Sequence, residues 1–211
     1  MMQIKVMPFN PIAANCYICY DETKACVIID PGCDTDAEYA LLFDFIRTEA
    51  LIPKHIVITH PHIDHILGTD QVCKQYGLPL TMHKLGLPLF SGAFQDAGLL
   101  GIHLKALPDN HVYVEEGDIL EFGNSTLRVL YTPGHADGSI CLFNKESKTV
   151  FTGDVLFNDC IGRADLPTGN LELLKSMIVT KLFTLEGDVT VRSGHGGRTT
   201  IARERQQNPF F

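Results

Sequence analysis

The sequence predicts an α/β fold of four layers: an αββα sandwich of two mixed β-sheets packed face to face, with helices on both outer surfaces. Three observations predict it. Short β-branched and aromatic runs followed by an amphipathic helical stretch occur once in each half of the chain. Gly, Pro and other turn residues punctuate them. Four of the apolar runs end in a turn bearing histidine or aspartate, which gathers chemically active side chains at strand ends.

The elements follow in order. Strands are expected at residues 4–9, 16–20 and 25–30. Thr35 and Glu38 form a capping box, and residues 36–48 place Ala37, Leu41, Leu42, Phe45 and Ile46 on one helical face. A strand at 55–59, a helix over 65–76 that stops at Gly77, and a short strand at 80–83 come next. Residues 84–110 hold glycines, prolines and leucines without steady periodicity, and read as a loop region with at most one short helix, placed where it could cover a site. From Val112 onward the pattern turns antiparallel, with strands at 119–122, 126–132, 139–143 and 149–152 and a turn at Gly123-Asn124. Leu171, Leu174, Ile178, Leu182 and Leu185 form a helical stripe behind Asn170 as cap. A strand at 189–192 and a terminal helix from about Thr200 close the pattern. No repeat, linker or low-complexity tract interrupts it, so residues 1–211 read as one domain.

Composition narrows the function. A chain of 211 residues, 45% hydrophobic and 20% charged, has the profile of a globular protein able to bury a core without staples. No apolar run approaches the roughly 20 residues that cross a bilayer, and the N-terminus lacks a basic region followed by an apolar one, so no membrane partner is expected. Seven cysteines scattered through apolar runs suit a reducing cytoplasm. A net charge of −8 repels phosphate backbones, which sets nucleic acid aside as a partner. The residue pattern carries no signal of oligomeric state.

The chemistry lies in four segments of one design, an apolar strand, a turn, and then a metal-type side chain. Residues 56–58 lead to His60-Pro61-His62-Ile63-Asp64-His65, residues 127–131 to Gly134-His135, Val150-Phe151 to Gly153-Asp154, and residues 189–191 to Gly194-His195. Strand ends on one edge converge in space, so these distant positions can close around one site. At this chain's own His and Asp frequencies, H-x-H-x-D-H arises by chance roughly 0.001 times per chain. Three imidazoles and a carboxylate crowded together without a cation would repel one another on protonation. His60 and His62 can share one cation while Asp64 and His65 turn toward a second. Nitrogen and oxygen donors of this kind suit Zn²⁺, and also Fe or Mn. Five histidines and two aspartates suffice for two divalent ions. Asp154 can bridge them, leaving between two positive charges a water acidic enough to supply hydroxide at about pH 7.

His55, His83, His103 and His111 stand alone and are read as structural or solvated. Cys16 and Cys19, three apart on a strand, face opposite sides and are read as structural rather than redox-active. Arg192, Arg198, Arg203 and Arg205 read as a solvated face with ion pairs.

The segments Thr59-His60-x-His62-x-Asp64-His65, Thr132-Pro133-Gly134-His135, Gly153-Asp154 and Gly194-His195-Gly196 together resemble the metallo-β-lactamase superfamily, in its glyoxalase II-like branch. The resemblance runs from about Asn15 to the C-terminus. It implies that His60, His62 and His135 hold a first metal, that Asp64, His65 and His195 hold a second, and that Asp154 bridges them. An aspartate at 154 disfavours the true β-lactamases, which usually lack a bridging carboxylate there. The segment running from Phe157 through Cys160 to Arg163 resembles the family stretch that ends in a basic residue contacting the substrate's carboxylate, which makes Arg163 the substrate-binding candidate. Thr199-Thr200-Ile201, Glu204-Arg205 and Asn208-Pro209-Phe210 resemble the ending of single-domain members. Only 16 residues follow His195, too few for the helical domain with which longer glyoxalase II enzymes contact glutathione, so the thiol carrier stays open.

The function so implied is a metal-dependent hydrolase. It would cleave a small-molecule thioester of a 2-hydroxy acid by a metal-bridging hydroxide, with Asp64 as the catalytic residue that orients or deprotonates the nucleophile. The alternatives are a persulfide dioxygenase using one iron, another hydrolase of the superfamily such as a nuclease, or a silent binding module.

Overall fold

The computed structural model describes residues 1–100 and 104–211. His103, one of the four histidines set aside above, lies outside the described residues. Six strands form the first sheet in spatial order β1-β2-β3-β4-β5-β6: β1 (Gln3–Phe9), β2 (Ala14–Tyr20), β3 (Ala25–Ile29), β4 (Ile52–Val57), β5 (Leu80–His83) and β6 (His111–Val114). Six more form the second: β7 (Ile119–Phe122), β8 (Ser125–Tyr131), β9 (Ile140–Asn144), β10 (Thr149–Gly153), β13 (Thr190–Ser193) and β14 (Thr199–Thr200), in the order β14-β13-β10-β9-β8-β7. A two-stranded hairpin, β11 (Leu156–Phe157) and β12 (Cys160–Ile161), stands between β10 and β13 in sequence. Both large sheets are mixed. Pairing is antiparallel at β1-β2-β3 and at β7 to β10, but parallel from β3 to β6 and between β10 and β13.

Three apolar clusters separate four layers, as the alternation of side chains along the strands requires. Along β2, Cys16 and Ile18 face outward to α1 (Asp36–Thr48), α2 (Ile63–Ile66), α3 (Thr69–Tyr76) and α4 (Leu87–Leu100). Tyr17 and Cys19 face inward, where Val27, Val57, Val129 and Phe151 join the two sheets. The second sheet's outer face packs Val150 and Val191 against Leu174, Ile178 and Ile201 of α5 (Leu171–Met177), its continuation, and α6 (Ile201–Gln207). The opposed facing of Cys16 and Cys19 agrees with their reading as structural thiols. All seven cysteines are free, and six are buried.

Several expectations need correction. Residues 84–110 contain the 14-residue helix α4 after a single 3₁₀ turn at Lys84–Gly86. Gly92 and Gly98 disfavour a helix by about 1 kcal/mol each and blur its periodicity, but Phe90, Ala93 and Ala97 at helical spacing bury into the outer core and override them. The strand after that segment, β6, pairs in parallel with β5, so the antiparallel run begins only at β7. The helix expected over 65–76 is two helices. Gly68 separates them, its amide donating to the Pro31 carbonyl (2.9 Å) at a contact where a Cβ would lie 2.6 Å from that oxygen. On α1 the capping box is present, but the buried stripe is Tyr39, Leu42 and Ile46, leaving Leu41 on the exposed side. The stripe after Asn170 buries Leu174, Ile178 and Leu182 while Leu171 is exposed, and the helix finishes as a π-helical turn at Ile178–Leu182.

Candidate metal centre

Strand ends supply the centre, as the sequence pattern requires. β4 runs into Thr59 and His60, and the turn at His62 starts α2, whose single turn carries Asp64 and His65. His135 follows β8, Asp154 follows β10, and His195 follows β13. All seven residues singled out in the sequence converge at one edge where the two sheets meet. Potential donor atoms within 4.8 Å of one another form three groups: His60, His62 and His135; Asp64, His65 and His195; and His60, His65 and Asp154. Asp154 lies between the first two. Its Oδ1 is 3.4 Å from His65 Nε2, and its Oδ2 is 3.6, 3.8 and 4.0 Å from the Nε2 atoms of His195, His135 and His60.

Hydrogen bonds fix which nitrogen of each ring faces the centre. His60 Nδ1–H donates to Thr59 Oγ1 (3.1 Å), which donates to Asp30 Oδ2 (2.7 Å). His65 Nδ1–H donates to the same Asp30 oxygen (3.0 Å), His135 Nδ1–H to the Arg163 carbonyl (2.7 Å), and His195 Nδ1–H to the Ile12 carbonyl (3.2 Å). Four imidazoles thus have their Nδ1 proton held from behind, and each aims Nε2 inward, the arrangement by which outer partners orient metal-binding histidines. His60 Nε2, His135 Nε2 and Asp154 Oδ1 are buried without a hydrogen-bond partner. Unpaired buried polar atoms are costly, and a pair of cations is the group this donor set fits.

Packing admits nothing larger than glycine beside it. A Cβ on Gly194 would lie 2.1 Å from Asp154 Oδ1, and one on Gly162 would lie 1.9 Å from the Asp154 carbonyl oxygen. The start of β2 grips the His195 turn from the far side: Asn15 Nδ2 donates to the Ser193 and Gly196 carbonyls, and the Tyr17 hydroxyl to Ser193.

Asp30 is the residue that the sequence reading missed. Fully buried, it also accepts from the Thr59 amide (2.6 Å), so one carboxylate orients both His60, through Thr59, and His65. Its signal was present, because it follows an apolar strand run just as the other four segments do. Arg163 is placed differently from the seven. Its carbonyl touches His135, while its guanidinium is exposed and paired with Asp165 at 2.8 and 2.9 Å.

The groups differ in charge. Burial, reinforced by neighbouring imidazoles, pushes His60 far below the ordinary histidine range and His62 down to about 4, and burial also lowers His135, so this triad is neutral at pH 7. For His65, burial works against the charged form, but Asp154, Asp30 and Asp64 outweigh it and raise the imidazole well above its usual value. Asp64 resists burial in the same way, held anionic by His65 and by His195, whose Nε2 lies 3.0 Å from Oδ2. A cation entering the Asp64 group must displace a proton, whereas one entering the His60 group displaces none. Burial opposes the charged form of His195 too, but its hydrogen bond to Asp64 and the nearby Asp154 raise it as well. Affinity at the second position is therefore expected to fall by about tenfold or more per pH unit below the raised His65 and His195 values, with the first nearly flat from pH 6 to 8. Titration calorimetry of metal-free protein in buffers of different ionisation enthalpy measures the released proton. Equal proton release at both positions would contradict this asymmetry.

Comparison with known proteins gives a consistent result. A family model for the Metallo-beta-lactamase superfamily matches residues 10–195, a span that contains all seven residues. The chain is 37% identical over 212 residues to the probable metallo-hydrolase YqgX of Bacillus subtilis (strain 168), covering 100% of this chain and 98% of that one. It is 34% identical over 212 residues to the hydroxyacylglutathione hydrolase GloC of Haemophilus influenzae, with the same coverage. Among solved structures, TTHA1623 in a di-iron-bound form superposes with a TM-score of 0.89 at 32% identity, over 98% of this chain and 100% of that one. The B3 metallo-beta-lactamase BLEG-1 superposes with a TM-score of 0.84 at 34% identity, over 99% of both chains.

Proposed function

The chain belongs to the metallo-beta-lactamase superfamily, and from that membership we propose that it hydrolyses a thioester formed between a small 2-hydroxy acid and a low-molecular-weight thiol. One observation carries the reading: the full-length similarity to a hydroxyacylglutathione hydrolase, in a chain that brings all seven donor side chains to one sheet edge. His60, His62 and His135 would hold one cation, Asp64, His65 and His195 a second, and Asp154 would face both. Zn²⁺ suits these donors, and the di-iron form of a structural relative supports iron equally. When bound, such a pair supplies hydroxide near neutral pH and positive charge for the oxyanion of the tetrahedral state.

The chain's own groups supply the rest. Asp64, kept anionic by His65 and His195, would accept a hydrogen bond from the attacking nucleophile and orient it. The thiolate leaves without a general acid, because an ordinary thiol has a pKa of about 8.5. This agrees with a centre in which all the buried donors face inward and none is set apart as a proton source. Arg163, at the rim beside His135, would exchange Asp165 for a carboxylate of the thiol carrier. Seven free thiols fit an enzyme of a reducing cytoplasm. No helix among the described residues is long and apolar enough to cross a membrane.

The test is thiol release from S-lactoylglutathione by purified protein loaded in turn with zinc, manganese and iron. Turnover on the order of 1–10³ s⁻¹ is expected with at least one metal. The same preparations are given a β-lactam, because of the similarity to BLEG-1, and a persulfide under an oxygen electrode. β-Lactam opening or oxygen uptake without thioester cleavage would replace the reading.

A further inference from the structure

Glu204 lies on α6, outside the centre, and is fully buried. Every acceptor position of its carboxylate is used. Oε1 accepts from the Thr199 hydroxyl (2.5 Å) and the Arg203 guanidinium (3.3 Å), and Oε2 accepts from the Asp159 amide (2.9 Å) and Asn208 Nδ2 (2.9 Å). A carboxylate is a costly way to fill a helix-packing position, since an apolar side chain of similar volume often serves as well or better. What a carboxylate can do is hold several separate segments in one geometry, and this one joins β14, the end of α6 and the turn between β11 and β12.

That turn is gripped at every point. Arg203 forms a two-pronged ion pair with the Asp159 carboxylate, with Nη2 at 2.8 Å from Oδ2. Asn208 Nδ2 also donates to the Cys160 carbonyl (3.1 Å). Asp159 has a φ of 58°, a left-handed conformation that aspartate adopts more readily than most residues in a tight turn. From Cys160 the chain runs through Ile161 to Gly162, where a Cβ would lie 3.0 Å from His135 Nδ1, and then to the Arg163 carbonyl that accepts the His135 Nδ1 proton.

We infer that Glu204 is a positioning residue of the metal centre: by fixing the Asp159 turn it sets the β11–β12 hairpin, and with it the Arg163 carbonyl that aims His135. The inference rests on His135 as a cation ligand and is independent of the substrate. It also assigns a physical task to the Glu204 and Asn208 of the C-terminal motif, which no step of the reaction uses.

The experiment is a cobalt(II) titration of metal-free parent, Glu204→Ala, Glu204→Gln and Asn208→Ala proteins, read by visible d–d absorption, with the His135 Nδ1 proton followed by NMR before metal is added. In Glu204→Ala, one of the two cobalt ions is expected to bind about 10- to 100-fold more weakly, with altered d–d bands, while the other keeps its affinity. The His135 Nδ1 proton should exchange faster. Glu204→Gln should restore a large part of the affinity, because its oxygen can accept from Asp159 and Asn208 while its amide donates to Thr199 and only the longer Arg203 contact is lost. A folded Glu204→Ala protein with the parent's cobalt affinities and bands, even at a lower melting temperature, overturns the inference. If Glu204→Ala does not fold, Asn208→Ala carries the same expectation, and parental affinities and bands in that protein overturn the inference instead. A parent that binds no cobalt would overturn the centre itself and this inference with it, so the two failures are distinguishable.

Discussion

Replacing Asp154 with asparagine is expected to reduce the cation content from two per chain to one, and to lower thioester turnover by on the order of 10³-fold. Among the described residues, Asp154 is the one side chain whose two oxygens reach both triads, with Oδ1 facing His65 and Oδ2 facing His60, His135 and His195. Asparagine preserves volume but supplies one neutral oxygen, so it cannot serve both positions and no longer offsets the charge brought there. The His60, His62 and His135 group keeps its three neutral donors and should retain its cation. The loss should therefore be sharply partitioned, and metal analysis after gel filtration, paired with thiol release, measures it. Two cations retained at parental affinity would show that Asp154 does not act between them.

Replacement of Asp30 should have the next largest effect, and on stability as much as on chemistry. Its carboxylate accepts from the Thr59 amide, the Thr59 hydroxyl and His65 Nδ1, all buried. Asp30→Ala leaves a buried backbone amide and a raised, cationic imidazole without their partner. The expected cost is about 3–5 kcal/mol, or roughly 10 °C of melting temperature for a chain of this size. Asp30→Asn is the more informative variant. It can still accept one bond from Thr59, but its NH₂ offers His65 a donor where the parent offers an acceptor. His65 would then carry its proton on Nε2 and present no lone pair to a cation. Cation affinity at the Asp64 group should fall about 10- to 100-fold with a smaller change in melting temperature. If Asp30→Asn binds both cations as tightly as the parent, Asp30 serves folding alone.

The candidate centre was largely legible in the sequence because the side chains that converge there obey a local rule. Each follows an apolar strand and a turn, and strand ends on one edge meet whatever the sequence distance between them. Asp30 obeys the same rule, but it sits before Pro31-Gly32 and so resembles a turn residue. Only its contacts with Thr59 and His65 separate the two roles. Arg163 shows the opposite limit, since a motif fixes where the backbone goes and not where a guanidinium points. In the fold, the layers followed from alternation along strands such as β2. Helix α4 did not, because Gly92 and Gly98 weaken its pattern and only burial of Phe90, Ala93 and Ala97 reveals the helix. The parallel pairing of β6 with β5 depends on how the intervening segment returns the chain, which no short-range signal encodes. Glu204 was visible as part of a motif, but its task lies in contacts 45 positions away in the chain.

Each proposed cation position draws donors from both sheets: His60 and His62 follow the first sheet's β4 while His135 follows the second sheet's β8, and Asp64 and His65 stand opposite His195. The pair of ions would therefore act as a gauge of the spacing between two slabs about 10 Å apart. A side chain that wedges them open, even at the far strand ends around Cys19, Phe122 or Leu127, would be felt as misfit at the ions before it was felt as unfolding. A random screen for inactive variants should accordingly return a class of soluble, well-folded proteins altered deep between the slabs, whose fault excess metal partly repairs.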